Sequence, residues 1–413
     1  MFIIKSAFCR AFQIAFRVAL PILPYREPEI VTSCSGLGVV FEKEQIKSVC
    51  IVTDQGIVKN GLVAPLVEVL EENNVSYTIY HKTQPNPTVD NVEEAFTLYN
   101  ENGCEAIIAI GGGSSMDCAK ALGARIAYPK KSVGQMRGIL RVMRNLPTLI
   151  AIPTTAGTGS EVTLAAIITD SDNHDKYALM SFPLIPNYAV LDATLTYSLP
   201  SNLTATTGMD ALTHAVEAYI GRSTTKETRK LALESTRLVF KYLKKAYVNG
   251  KNHKAREKML HAAYKAGVAF SKSYVGYIHA IAHSLGGQYG TPHGLANAVI
   301  MPYVLEAYGE SAHKKLHELG VAAGVAKEKD THEVGAKKFV EAIKELNSSM
   351  EILDSIQGIR AEDIAKMAKH AEKEANPLYP VPKLMTSKEL EIFYYKLQNG
   401  ASEYDESRNY KSA

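Results

Sequence analysis

AIIAIGGGSSMDCAK, residues 106–120, decides the fold. Five apolar residues run straight into three glycines, and a helical pattern begins at Ser114. An apolar run of this length bounded by glycine reads as a strand buried on both faces. A strand that turns at glycine directly into a helix is half of a βαβ unit. The same texture extends to both sides. SVCIVT (48–53) reads as a strand and Val58–Glu72 as a helix; Ser76–Tyr80 reads as a strand and Val89–Asn100 as a helix. Leu149–Ile152 and Tyr188–Leu191 read as further strands. Strand and helix in alternation predict an α/β domain with a mostly parallel sheet covered on both faces, over residues 26–196.

Beyond Leu199-Pro200 the pattern changes period. Gly208–Gly221, Lys226–Val248, His253–Ser271, Gly276–Gly286 and Pro292–Tyr308 follow one another with helical spacing, and more helix is expected to about residue 399. Residues 197–413 therefore read as an all-helical domain. Residues 1–25 stand apart as an extension. They carry Lys5, Arg10 and Arg17, no acid, and many bulky apolar side chains. Arg17 interrupts what a membrane span would need, and Leu20–Pro24 offers no small-residue cleavage site. The expected state is a helix packed on protein, with a helix lying on a membrane surface as the competing reading.

At 413 residues the chain is too long for one ordinary core and suits two domains. A net charge of +3 and the lack of a long Lys/Arg run speak against a nucleic-acid partner. Cys9, Cys34, Cys50, Cys104 and Cys118 show no CxxC spacing, so free thiols in a reducing cytoplasm are expected.

Two loops of the first half suit a phosphate-bearing ligand. Gly111-Gly112-Gly113-Ser114 brings backbone amides and a helix N-terminus to one place. Pro153–Glu161 (PTTAGTGSE) follows the strand LIAI and offers small hydroxyl residues and glycines. Asp54, at the end of the first strand, can accept from ribose hydroxyls and repel a 2′-phosphate, although in isolation it reads as a helix cap. The acid precedes the glycines here, the reverse of the common GxGxxG arrangement, so that motif by itself licenses nothing.

In the second half Asp210 and His214 lie four apart on a helix and share a face. Such a pair alone is more often a surface hydrogen bond. His279, His283 and His293 change the weighing, because three of the twelve histidines fall within one short stretch. Gly286-Gly287 should end one helix and Thr291-Pro292 should begin the next, and a helix, a break and a new helix can aim imidazoles at one point. One Asp with several His suits Fe(II) or Zn(II) better than a hard oxygen-seeking ion.

With these residues in view, the chain resembles the iron-containing (group III) alcohol dehydrogenases. The matching stretches are VTD at 52–54, PNPT at 85–88, GGGSSMDCAK at 111–120, IPTTAGTGSEVT at 152–163, GMDALTHAVEAY at 208–219 and HAIAHSLGGQYGTPHGLANAV at 279–299, in the family's order. The resemblance implies a Rossmann-like dinucleotide-binding domain and a helical metal-binding domain, with the site between them. It implies Asp210, His214, His279 and His293 as metal ligands, with Fe(II) first and Zn(II) second. It places His283 near the nicotinamide, where it can relay the alcohol proton. NAD would meet Asp54, Asn86, Gly111, Gly112, Gly113, Ser114, Thr154, Thr155, Thr158 and Lys176. The implied reaction is reversible hydride transfer between a primary alcohol or small diol and its aldehyde, by a cytoplasmic homo-oligomer, a dimer at its simplest. A glycerol dehydrogenase or dehydroquinate synthase type of enzyme is the alternative within enzymes, and a nucleotide-binding scaffold the alternative outside them. Three departures stand out: residues 1–25, Phe270–Tyr277 where many members are asparagine-rich, and Asn376–Pro382.

Overall fold

The computed structural model describes residues 2–171 and 175–400, with backbone only at residues 2–5, 16, 21 and 175. Contacts gather the chain into two compact units. Of the described residues, one holds those within 24–201 and 249–271, the other those within 2–23, 202–248 and 272–400. Residues 249–271, which lie within the helical half of the sequence, thus belong to the α/β unit.

The α/β unit is built on strands β1 (Glu29–Val31), β2 (Ser48–Val52), β3 (Ser76–Tyr80), β4 (Ala106–Gly111), β5 (Gly138–Ile139), β6 (Leu149–Pro153), β7 (Ala165–Asp170), β8 (Asp175–Met180) and β9 (Tyr188–Val190). Six of them form an all-parallel sheet in the order β1-β9-β6-β4-β2-β3. Alternate residues of the apolar runs go to opposite faces, as a pleated strand dictates. Val49, Ile51, Ala106, Ile108, Ile110, Ile150 and Ile152 pack on one side, and Cys50, Val52, Ile107, Ala109, Leu149 and Ala151 on the other. That is why these strands read as continuous apolar runs. A smaller sheet, β5-β8-β7, with an antiparallel β7–β8 pair, was not legible in the sequence.

Helices α1 (Phe2–Ala19), α2 (Leu37–Lys43), α3 (Gln55–Lys59), α4 (Ala64–Glu72), α5 (Val89–Glu101) and α6 (Gly113–Ala127) lie in the first half. The single helix expected over Val58–Glu72 is two, because the chain turns at Gly61 with φ 67°. The second half holds α7 (Ser201–Ile220), α8 (Lys226–Val248), α9 (His253–Ser273), α10 (Tyr277–Tyr289), α11 (His293–Tyr308), α12 (Glu310–Ala323), α13 (His332–Ser349), α14 (Ala361–Ala375) and α15 (Ser387–Asn399). One expectation fails here: α10 runs through Gly286-Gly287 and stops at Gly290, which takes the left-handed conformation with φ 68°. A glycine inside a helix costs only about 1 kcal/mol, which packing readily offsets. A left-handed residue ends the helix outright.

Helix α1 packs on its own chain. Arg10 donates to the carbonyls of Val381 and Pro382, and the buried Gln13 donates to the carbonyl of Tyr379 at 2.8 Å. Two departures from the family pattern, the extension and the 376–382 segment, are therefore each other's partners. Among the described residues no helix is long and apolar enough to cross a membrane. All five cysteines are free and buried.

Candidate metal centre

Helix α7 supplies Asp210, His214 and Glu217 at positions i, i+4 and i+7, so all three share one face. From Gly208 to Ile220 every residue of this helix is buried. Helix α10 brings in His279 and α11 brings His293 in its first turn. The start of α11 sits against α7 backbone: a side chain at Gly294 would fall 2.5 Å from the Thr206 carbonyl oxygen. Glycine at 294 is what lets His293 reach Asp210.

Each of Asp210, His214, His279 and His293 offers a ligand atom, and the four lie within 4.8 Å of one another. From Asp210 Oδ1 the separations are 3.9 Å to His214 Nδ1, 4.0 Å to His279 Nε2 and 3.5 Å to His293 Nε2. Donors about 2.1 Å from a common tetrahedral ion stand about 3.4 Å apart, so these spacings are near what an ion would draw together. Three of the residues are buried, and His293 is partly open, with 38% of its side chain exposed. The cluster therefore has a closed back and one accessible edge.

Protonation suits a cation. Burial first, then the neighbouring His214, His293 and His283, hold His279 well below its ordinary value, so it is neutral. Its Nδ1 lies 2.6 Å from Glu217 Oε2. Glu217 also accepts from the amides of Gly276 at 2.7 Å and Ile278 at 2.8 Å. Burial pushes this carboxyl up to about 8, against the pull of those two amides, of His283 and of the His279 backbone. The two amides favour the carboxylate form of Glu217, in which it accepts the Nδ1 proton of His279. The Nε2 lone pair then points into the cluster, the arrangement a ligating imidazole needs. Asn297, one turn after His293 on α11, aims Nδ2 at the same point: 2.8 Å from Asp210 Oδ1, 3.1 Å from His293 Nε2 and 3.3 Å from His279 Nε2. One carboxylate and three imidazole nitrogens thus converge as acceptors, and this donor set fits a divalent transition ion.

His283 flanks the cluster. Its ring stacks on His293 at 5.2 Å between centroids and meets His279 edge-on at 5.9 Å. Its Nδ1 lies 2.6 Å from Glu374 Oε1, and Tyr379 donates to the same oxygen at 2.7 Å. Burial raises Glu374, but His283 and Tyr379 outweigh it and keep the carboxyl below its ordinary value.

The α/β unit groups the sequence-predicted cofactor residues in the same way. Asp54 caps α3, with Oδ1 accepting from the Ile57 amide at 3.0 Å, while Oδ2 faces Gly111. Gly111 has φ 150°, and Gly112 and Gly113 lead into α6. The threonine loop closes over this turn: Thr154 N donates to Gly111 O at 2.9 Å, Thr155 packs by Gly112, and Thr158 lies where a Gly113 side chain would be. Asn86 N donates to Ser114 Oγ at 3.3 Å. Thr169 of β7 donates its amide to Pro87 O, so β7 lies beside the 85–88 loop, and Lys176 of β8 pairs in register with Thr169 one strand further away. Lys120 anchors the assembly from below. Its ammonium, wholly buried, is within 2.8–3.0 Å of Ser160 Oγ, Thr163 O, Thr163 Oγ1 and Ala165 O, and Asp117 accepts from Ser160 Oγ and Ile167 N.

Comparison with known proteins gives the geometry its context. The model for "Iron-containing alcohol dehydrogenase" matches residues 31–193, and that for "Fe-containing alcohol dehydrogenase family, C-terminal" matches residues 204–397. The chain belongs to the iron-containing alcohol dehydrogenase family. Alcohol dehydrogenase 4 of Schizosaccharomyces pombe is 38% identical over 338 residues, 81% of this chain and 79% of that one. The NAD-dependent methanol dehydrogenase of Bacillus methanolicus is 35% identical over 337 residues, 81% and 88% of the two chains. A solved 1,3-propanediol oxidoreductase superposes with a TM-score of 0.87 at 32% identity, covering 90% of this chain and 99% of that one. For this alcohol dehydrogenase, the residues missed in the sequence are Glu217, Asn297, Glu374 and Tyr379. Helix spacing offered a signal for two of them, since Glu217 follows His214 by three and Asn297 follows His293 by four.

Proposed function

We propose that this chain is an NAD-linked alcohol dehydrogenase that interconverts a primary alcohol or small diol with its aldehyde. The observation that carries the reading is the convergence of Asp210, His214, His279 and His293. Those four would hold the ion, Fe(II) by preference and Zn(II) as the alternative. A bound ion of this kind supplies Lewis-acid polarisation of the alcohol oxygen. The names of the relatives support small alcohols and diols and, for the methanol dehydrogenase, NAD.

The chain's own groups do the rest. Glu217 fixes the tautomer of His279, and Asn297 holds Asp210 from the other side. His283, tied through Nδ1 to Glu374, is set to move the hydroxyl proton at its Nε2. The Gly111–Ser114 turn and Thr154, Thr155 and Thr158 would take the pyrophosphate, with Asn86 and Lys176 beside it. The second oxygen of Asp54 would accept from the adenosine ribose and disfavour a 2′-phosphate. The deciding experiment strips the protein of metal, reloads it with Fe(II) or Zn(II), and assays a panel of alcohols and aldehydes with NAD and NADP. Turnover only in the reloaded protein, and with NAD preferred, is expected. Metal-independent turnover, or none with any alcohol, overturns the reading.

A further inference from the structure

Away from the metal cluster the helical unit contains a cavity of about 380 Å³, lined by Arg17, Ile220, Arg222, Thr224, Arg229, Ser311, Lys315 and Pro382. Four of these side chains are cationic, two are hydroxyls, and none is acidic. The cations come from separate elements: Arg17 from α1, Arg222 from the turn after α7, Arg229 from α8 and Lys315 from α12. Bringing four like charges to one hollow is unfavourable unless something offsets it.

The fold offsets only part. Lys315 donates to the carbonyls of Ile220 at 3.1 Å and Gly221 at 2.5 Å, capping the C-terminal end of α7. Arg229 donates to Thr224 Oγ1 at 3.1 Å, a neutral partner. The Arg17 and Arg222 side chains, both exposed, have no hydrogen bond or ion pair among the described residues. The acid that acts on Lys315 is Glu318, which also accepts from the Tyr219 hydroxyl at 2.5 Å. Burial, and then Arg229, Arg17 and Arg222, lower Lys315 to about 8 against the opposing pull of Glu318. The group feels its cationic neighbours more than it feels any counter-charge.

We propose that this hollow is a binding site for a soluble phosphate-type dianion, either inorganic phosphate or the phosphate group of a small metabolite. Two guanidiniums with open forks suit bidentate contact with such an oxyanion. Thr224 and Ser311 offer hydroxyl donors at its wall, and the volume exceeds what a lone phosphate fills. The site rests on α1, so a chain without that helix would lack Arg17. It is independent of the alcohol dehydrogenase reading, because none of its residues belongs to the metal cluster or the glycine turn.

Calorimetric titration of the full-length, metal-loaded, NAD-saturated protein with inorganic phosphate, at ionic strength held constant with chloride, tests it. One saturable site per chain and a melting temperature raised by about 2–4 °C are expected. The exposed pair Arg17→Gln and Arg222→Gln should weaken binding by about tenfold or more while leaving the chloride melting temperature unchanged. Absence of saturable binding overturns the proposal, as does binding that the double variant retains. Association with phosphatidylglycerol vesicles without a response to inorganic phosphate overturns it too, in favour of a lipid headgroup.

Discussion

Two buried polar clusters in this protein invite comparison. Around Asp210 a carboxylate and three imidazoles turn lone pairs toward one point, and the chain supplies no cation of its own there among the described residues. Around Lys120 the chain supplies the cation itself, and Ser160, Thr163 and Ala165 surround it with oxygen. The second cluster is complete as folded. The first is an acceptor set that an added cation completes. A buried polar group must be satisfied by the fold or by a ligand, and the composition of the cluster says which.

The largest effect should come from removing the carboxylate of the incomplete cluster. Asp210→Ala should lower the bound metal measured by elemental analysis and cut kcat/KM by on the order of a thousandfold. The circular-dichroism spectrum should hardly change. Unaltered metal content would mean that the four residues are packing and not ligands.

Breaking the complete cluster should do the opposite, costing stability before chemistry. Lys120→Met leaves the oxygens of Ser160, Thr163 and Ala165 without their buried donor and Asp117 without its neighbouring cation, a loss of about 3 kcal/mol by denaturant titration. pH sharpens this. Burial lowers Lys120 to about 8 in the folded state, against 10.5 for the free side chain. Between those values the unfolded chain binds more protons, so this lysine makes stability rise as pH rises. Glu161, raised by burial to about 7 from 4.5, makes stability fall across that lower window. A shallow minimum near pH 7–8 is expected. Lys120→Met should erase its alkaline limb and Glu161→Gln its acid limb, as followed by melting temperature.

Glu217→Gln keeps the shape but weakens the hold on His279, and metal affinity should fall about 10–100-fold in a chelator competition. Asp54→Gly should narrow the preference for NAD over NADP by about tenfold in kcat/KM, by removing repulsion of the 2′-phosphate. The smallest change expected is Gln13→Leu, which removes the side-chain donor from the carbonyl of Tyr379, leaves it the Val381 amide, and should cost about 1 kcal/mol by denaturant titration. Because Tyr379 holds Glu374 and Glu374 holds His283, a shifted pH profile of kcat in this variant would show that α1 steadies the proton path. An unshifted profile would confine α1 to stability.

What was legible in the sequence follows physical lines. Asp210 and His214 could be paired because helix geometry links residues four apart, and the central strands could be read because burial on both faces leaves apolar runs. Glu374 and Tyr379 could not, since 91 residues separate Glu374 from His283 and no local rule joins them. The β7–β8 hairpin escaped because its residues are half-buried and mixed in character. Likewise nothing local in residues 249–271 says that this stretch leaves the helical half. Its place is marked only in space, where Gly267 comes within backbone contact of Gly159.

The interleaving of the two units also sets an order on synthesis. The α/β unit cannot be finished when its last strand leaves the ribosome, because it waits for residue 271. Helix α1 waits longest. It is made before every other element described, yet the carbonyl that Arg10 grips at Val381 comes 371 residues later. Until Val381 is made that helix carries Phe8, Phe12, Ile14 and Val18, which the finished fold still leaves exposed, together with Cys9 and Gln13, which have nowhere to bury. A nascent chain of this kind presents an apolar helix early and retires part of it late, so its yield should depend on chaperone supply more than its final stability would suggest.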